Sequence, residues 1–151
     1  MPEARVVAAV REGVIRRARN HCEYCRCPQE YSPDPFAVEH IIPRASGGTD
    51  DPENLALSCM GCNGHKFTKR SAPDPINGRV VALFHPRRER WGDHFGWNEG
   101  FTRAIGLTST GRATVSALQM NRPGVVNLRR VLAADGKHPP EEPAAETAGD
   151  T

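Results

Sequence analysis

Cys22 and Cys25, and again Cys59 and Cys62, form two C-x-x-C knuckles. Four thiolates paired this way suit one tetrahedral ion, and zinc suits them best. Sulfurs at about 2.3 Å would fill all four positions and leave none for water, so such a zinc is structural. The 33 residues between Cys25 and Cys59 exceed the roughly 15–20 of the simplest ribbon pattern. They leave room for an inserted β-hairpin. That insert holds Glu39-His40-Ile41-Ile42-Pro43-Arg44 and Asn54, and Asn63-Gly64-His65-Lys66 follows the last knuckle. A carboxylate, an imidazole and amides gathered in one place can hold a catalytic cation, activate water and contact a phosphate.

The elements that would position these groups can be read from periodicity. Val6, Val7, Val10, Val14, Ile15 and Ala18 recur at helical spacing and predict an amphipathic helix over 5–20. Arg11, Arg16, Arg17 and Arg19 fall mostly off its apolar face and read as solvated surface. Phe36 to Ile42 is a β-rich run stopped by Pro43, and 46–52 is a turn-forming loop. A second strand is expected over 53–58, then a short helix from Cys62 towards Lys69. Pro73, Pro75 and Gly78 mark 71–78 as a linker. Beyond it, 79–84 and 100–107 are strand-like. Thr110-Gly111 reads as a hairpin turn before 112–118, and a late helix is expected over about 124–134.

Composition sets the frame. The chain of 151 residues suits one domain with a small extension. Its 13 Pro and 14 Gly predict a loop-rich fold whose modest core needs a metal for support. Five cysteines without a secretory h-region favour metal ligation over disulfides and a cytoplasmic setting. Cys27 is left as a partly buried small residue. No run of about 18 apolar residues offers a membrane span. Residues 137–151 set one lysine against four acids, net −3, leaving +5 on the rest. A mildly basic body with an acidic tail fits a nucleic-acid partner.

The stretch Cys22–Lys66 resembles the HNH endonuclease family, in its zinc-bearing four-cysteine branch. The resemblance rests on C-E-Y-C, then E-H-I-I-P-R-A-S-G-G, then E-N-L-A-L-S-C-M-G-C-N-G-H-K, with His40, Asn54 and Asn63 separated by 14 and 9 positions. It implies an α+β fold: a small zinc-stabilised ββα-metal finger, treble-clef-like, behind an N-terminal helix. A mainly β C-terminal extension is expected to pack on it. The expected division is 1–70 for helix and finger, 71–136 for the extension, and 137–151 for a disordered acidic tail.

The same resemblance implies roles. His40 is the general base, and a histidine's ordinary pKa of about 6.5 leaves imidazole largely neutral at cellular pH, as a base must be. Glu39 and Asn63 are ligands of a catalytic Mg²⁺ or Mn²⁺, with His65 as an alternative ligand. Asn54 holds the loop and orients the base. Arg44, Lys66, Lys69 and Arg70 would contact the backbone of a nucleic acid, DNA before RNA. This sequence departs from the family pattern in two places: Asn63 stands where histidine is common, and Glu39 stands where aspartate is also frequent, which changes reach and not charge. A neutral amide oxygen is a harder ligand that suits Mg²⁺ or Mn²⁺. In a regular strand Glu39 and His40 would face opposite sides, so they share one phosphate only if the strand end is irregular.

Two functions follow from these residues. One is a metal-dependent nuclease. The other is a zinc-dependent nucleic-acid or protein binding module with an idle site. Trp91, Phe95 and Trp97 read as packing between extension and finger. His85 and His94 lack the partners of a second metal site.

Overall fold

The computed structural model describes residues 6–141. It opens with α1 (Ala8–Arg17), shorter than the expected span. Val14 and, just past the helix, Ala18 are buried, while Val7 stays largely exposed. The arginine row is not only solvated surface. Arg11 Nη2 donates to the Phe36 carbonyl at 2.9 Å and Arg17 Nη2 to the Leu55 carbonyl at 2.7 Å. These bonds fasten α1 to the ends of the two strands that follow it.

Those strands are β1 (Ala37–His40) and β2 (Leu55–Ser58), antiparallel, with Glu39 opposite Ala56 and His40 opposite Leu55. β2 is buried along its whole length. It runs straight into Cys59, whose side chain accepts from the Cys62 amide and caps α2 (Met60–Lys66). Strand, strand and helix thus follow in the expected order around the two knuckles. The α+β class stands, with a four-cysteine finger at its centre.

The second half of the chain differs from its reading in two places. Residues 71–78 do not form a plain linker. Ser71–Pro73 (β3) pairs with Val80–Ala82 (β4), and a turn carrying Gly78 at φ 74° joins them. After α3 (Trp91–His94), β5 (Phe95–Trp97) pairs with β6 (Ala104–Gly106). Thr110-Gly111 then sits in the first turn of α4 (Ser109–Leu118), not in a hairpin. The Thr108 hydroxyl accepts from the Gly111 amide at 3.0 Å, a helix N-cap that outweighs the turn propensity of the dipeptide. With α5 (Pro123–Ala134) added, the extension holds more helix than strand, which corrects its mainly β description. The late helix itself falls where it was expected.

Residues 137–141, expected in the acidic tail, lie on the fold. His138 is buried against Trp97, and its Nε2 is 2.9 Å from the Phe101 carbonyl oxygen. The remainder of that expected tail, 142–151, lies outside the described residues.

One apolar core runs from α1 and the knuckles into the extension. Trp91 and Phe95 are buried in it, as read from sequence, and Trp91 Nε1 donates to the Tyr24 carbonyl at 2.8 Å. Arg129, nearly inaccessible, donates to the carbonyls of Cys25, Thr102 and Met120 and to Asn121 Oδ1. A single guanidinium on α5 therefore ties the first knuckle to the β5–β6 turn and to the α4–α5 junction.

Asp74 holds the β3–β4 turn against α4. Its buried carboxylate takes Arg112 Nε and Nη2, the Ser109 hydroxyl and the Ile76 amide. Arg112, more than any other contact, holds the Asp74 carboxyl well below the usual carboxylate range. A depressed folded pKa stabilises the fold fully above the unfolded value of about 3.9, and that contribution fades as pH falls through the lower folded value. Asp74→Asn is therefore expected to lower the melting temperature at pH 7, with the gap to the parent protein closing below about pH 4. Equal melting temperatures at pH 7, followed by circular dichroism, would contradict this role.

Candidate metal centre and active site

The knuckles bring the ligating sulfurs of Cys22, Cys25, Cys59 and Cys62 within 4.8 Å of one another, all four residues buried. The Cys25 and Cys59 sulfurs are 3.7 Å apart. Tetrahedral ligands at about 2.3 Å from zinc are separated by about 3.8 Å, so the spacing fits the ion. Amide donors complete each knuckle. The Cys25 amide points to the Cys22 sulfur at 3.5 Å and the Cys62 amide to the Cys59 sulfur at 3.4 Å. Burial pushes the Cys22 thiol well above its ordinary value, so a cation is what would keep such a sulfur ionised. Cys27 is buried beside the cluster and stands outside it.

Sequence reading missed Arg122. Its Nη2 lies 3.4 Å from the Cys59 sulfur and its Nη1 3.7 Å from that of Cys62. Nη1 also donates to the Leu118 and Gln119 carbonyls. A Cβ on Gly61 would come within 2.6 Å of this guanidinium, so glycine at that position admits the arginine. An arginine held against two sulfurs suits anionic thiolates. The extension therefore contributes charge to the metal centre as well as packing.

β1 alternates as a regular strand does. Glu39 faces inward, 5% exposed. The Tyr24 hydroxyl donates to one of its oxygens, and Lys66 Nζ lies 3.3 Å from the other. Burial pushes the Glu39 carboxyl up, and Lys66 and Tyr24 act against that. Lys66 is 1% exposed and also donates to the Ile41 carbonyl at 3.0 Å. It follows Cys62 by one turn, on the buried face of α2. The structure thus uses the charge of Lys66 inside the finger, not at the surface where a backbone contact was expected. It also commits Glu39, the expected cation ligand, to a buried pair.

His40 turns the other way. Its Nε2 is 2.7 Å from Asp50 Oδ1, which also accepts from Arg44 Nε and Nη2 at 3.2 and 3.0 Å. His40 and Arg44 hold the Asp50 carboxyl below its ordinary value. An ionised carboxylate only accepts, so Nε2 carries the proton and Nδ1 keeps its lone pair in the neutral ring. Asp50 is a second residue that sequence reading passed over as part of a turn. Arg44, expected at the nucleic-acid backbone, here braces this carboxylate.

Asn54 explains why Asp50 is in reach. Its Oδ1 accepts from the Ile42 amide at 2.8 Å, and its Nδ2 donates to the Ile42 and Thr49 carbonyls at 3.0 and 2.8 Å. The loop from Ile42 to Thr49 is thereby closed on itself. Gly48 lies at the closure, where a Cβ would fall 1.7 Å from the Ile42 carbonyl oxygen. One amide fixes the strand end below His40 and the loop that delivers Asp50.

Asn63 and His65 are both half-buried on α2, and neither side chain has a hydrogen-bond partner among the described residues. Asn63 sits one turn before Lys66, beside the finger's buried face. Lys69 and Arg70 are exposed after the helix. His85 and His94 do not converge on a metal. His94 Nε2 meets Glu89 at 2.9 Å and its Nδ1 meets Thr108 Oγ1 at 2.6 Å, while His85 Nδ1 accepts from the Arg87 amide.

This finger has counterparts among known proteins. Residues 22–69 match the HNH endonuclease family model. The matched segment runs from the first knuckle to just past α2. The chain is also 30% identical to the Septu protein PtuB of Bacillus thuringiensis over 74 residues, 48% of this chain and 29% of that protein. It covers less than a third of that relative's length. No solved structure matches the chain significantly. No helix among the described residues is long and apolar enough to cross a membrane.

Two outcomes are expected. Metal analysis of the purified protein should find about one zinc per chain, and its removal by a strong chelator should unfold the four-cysteine finger. A metal-free protein with unchanged circular dichroism would contradict a structural zinc. Glu39→Gln should cost about 3–5 kcal/mol by leaving Lys66 buried and uncompensated, while Glu39→Gln with Lys66→Met should recover most of that loss in urea unfolding. Equal stabilities of parent and single variant would mean that the pair is not formed in solution.

Proposed function

We propose that the HNH domain hydrolyses phosphodiester bonds of nucleic acid, DNA in the first instance, with His40 as general base. The observation that carries this reading is the His40–Asp50 contact held by Asn54. Asp50 keeps the His40 proton on Nε2 and leaves Nδ1 to take a proton from water. The water oxygen then attacks phosphorus and the bond to the leaving 3′ oxygen breaks; that oxygen takes a proton from solvent and His40 returns its own to solvent, leaving 5′-phosphate and 3′-hydroxyl ends. The match to the HNH family supports the reaction class.

A divalent ion, Mg²⁺ or Mn²⁺, would neutralise charge on the phosphate and the leaving oxygen. Asn63, with an uncommitted amide, fits as a ligand, and His65 is its alternative on the same helix. Glu39 does not fit as it stands, because its oxygens face Tyr24 and Lys66. It would join the ion only by exchanging those partners. Lys69 and Arg70, exposed after α2, and Arg44, beside Asp50, are the cations of the finger assigned to the nucleic-acid backbone. This reading places the protein in the cytoplasm, where thiols stay reduced and metal-bound, with the finger ending near residue 70 and the extension supporting it.

One observation favours a second reading. A carboxylate locked in a buried ion pair suits a zinc-dependent binding module that no longer cuts. Plasmid DNA incubated with the protein and a series of divalent ions separates the two. Nicking is expected with Mg²⁺ or Mn²⁺, with a loss of at least about 100-fold in His40→Ala and about tenfold in Asp50→Ala. Binding without nicking under every ion would establish the binding module, and equal nicking by parent and His40→Ala would remove His40 as base.

A further inference from the structure

A pocket of about 370 Å³ opens where the finger meets the extension. Ile41 and Ile42, which follow His40 directly, form one wall. The wall is thus within about 7 Å of the base along the backbone. Lys69, whose Nζ also donates to the His65 carbonyl at 2.9 Å, and Arg70 line it from the end of the finger, and His85 and Arg88 from the extension. The arginines at 70 and 88 are exposed, and their side chains make no hydrogen bond or ion pair among the described residues. Glu89 is the one acid in the lining, and it is already committed. One of its oxygens takes the His85 amide at 2.9 Å and the other lies 2.9 Å from His94 Nε2. His85 Nδ1 accepts the Arg87 amide proton, so the neutral ring presents Nε2–H as a donor. Burial first, then Arg88 and to a smaller degree Lys66, push the His85 pKa down, while Glu89 acts against them. A concave site with two uncommitted guanidinium groups, a lysine and an imidazole donor has the chemistry of an anion site.

We propose that this pocket binds a backbone phosphate of the nucleic acid beside the scissile one, with the extension supplying Arg88 and His85 and the finger supplying Lys69 and Arg70. The proposal rests on the nuclease reading for the identity of the anion. It gives the extension a direct part in holding substrate. It also explains why the finger alone, with Lys66 turned inward, presents few cations of its own.

The test measures binding apart from cleavage. A fluorescein-labelled DNA duplex is titrated by anisotropy with the zinc-loaded full chain carrying His40→Ala, with no other divalent ion added, over a range of salt. Arg88→Ala is expected to weaken binding about five- to tenfold near 0.1 M salt and to lower the slope of log K against log salt by about 0.9, one phosphate contact. His85→Ala should weaken binding less, and Arg88→Lys should retain most of the slope. An unchanged slope in both Arg88→Ala and Arg70→Ala would overturn the proposal, as would an equal loss from Arg79→Ala, an exposed arginine outside the pocket. A parent protein that cuts no nucleic acid while Arg88→Ala still loses slope would sink the nuclease reading and leave the pocket standing. Normal cleavage with an unchanged slope would do the reverse.

Discussion

Four sulfurs converging on one point are the constraint from which the rest of the fold follows. Buried thiolates repel one another, and a divalent cation held by them would reverse that repulsion into a cross-link between residues 22–25 and 59–62. The cross-link closes a loop whose interior is β1, its turn and β2. It also fixes where α2 begins, because Cys59 is at once a ligand and the cap of that helix. Four thiolates around one divalent ion keep an excess of negative charge. The extension answers with Arg122 against two sulfurs and Arg129 against the backbone of the first knuckle. Gly61 marks the cost of that approach in sequence terms, since any side chain there would displace the guanidinium. The metal centre is in this sense shared between both halves of the chain.

Strand alternation divides the Glu39-His40 dipeptide between two environments. Inward, Glu39 meets Lys66 and Tyr24 in the dry interior, where an unpaired charge would be costly and a paired one is tolerated. Outward, His40 meets Asp50 at the edge of solvent, where a proton can be exchanged. The same four-residue strand therefore carries one carboxylate that supports the finger and one imidazole with a defined tautomer. Asn54 connects the two roles by closing the loop with three hydrogen bonds. Its amide replaces backbone pairing that the turn itself cannot supply.

Much of the finger was legible because its signals are local. Cysteine spacing states the candidate ligand set, Pro43 stops β1, and a short, partly apolar run marks β2. The late helix announces itself by its periodicity. The extension was harder. Thr110-Gly111 has the composition of a hairpin turn, and only the Thr108 cap and packing against α2 make it helical. Pro73, Pro75 and Gly78 have the composition of a linker, yet Asp74 gathers Arg112 and Ser109 from 35 and more positions away and turns the segment into a hairpin. Such contacts have no periodicity of their own.

From residue types and spacing alone came the four cysteines that could hold a metal, the order strand–strand–helix, the HNH resemblance and the candidacy of His40, Asn54 and Asn63. Each depends on neighbours in sequence or on a pattern of fixed offsets. The folded chain alone decided where the charges are used. It buried Lys66 on Glu39, set Asp50 beside His40, and brought Arg122 to the sulfurs and Arg88 to the pocket wall. Those pairings depend on burial and on the free energy of a charge in its surroundings, and a side chain acquires both only once distant segments have packed around it.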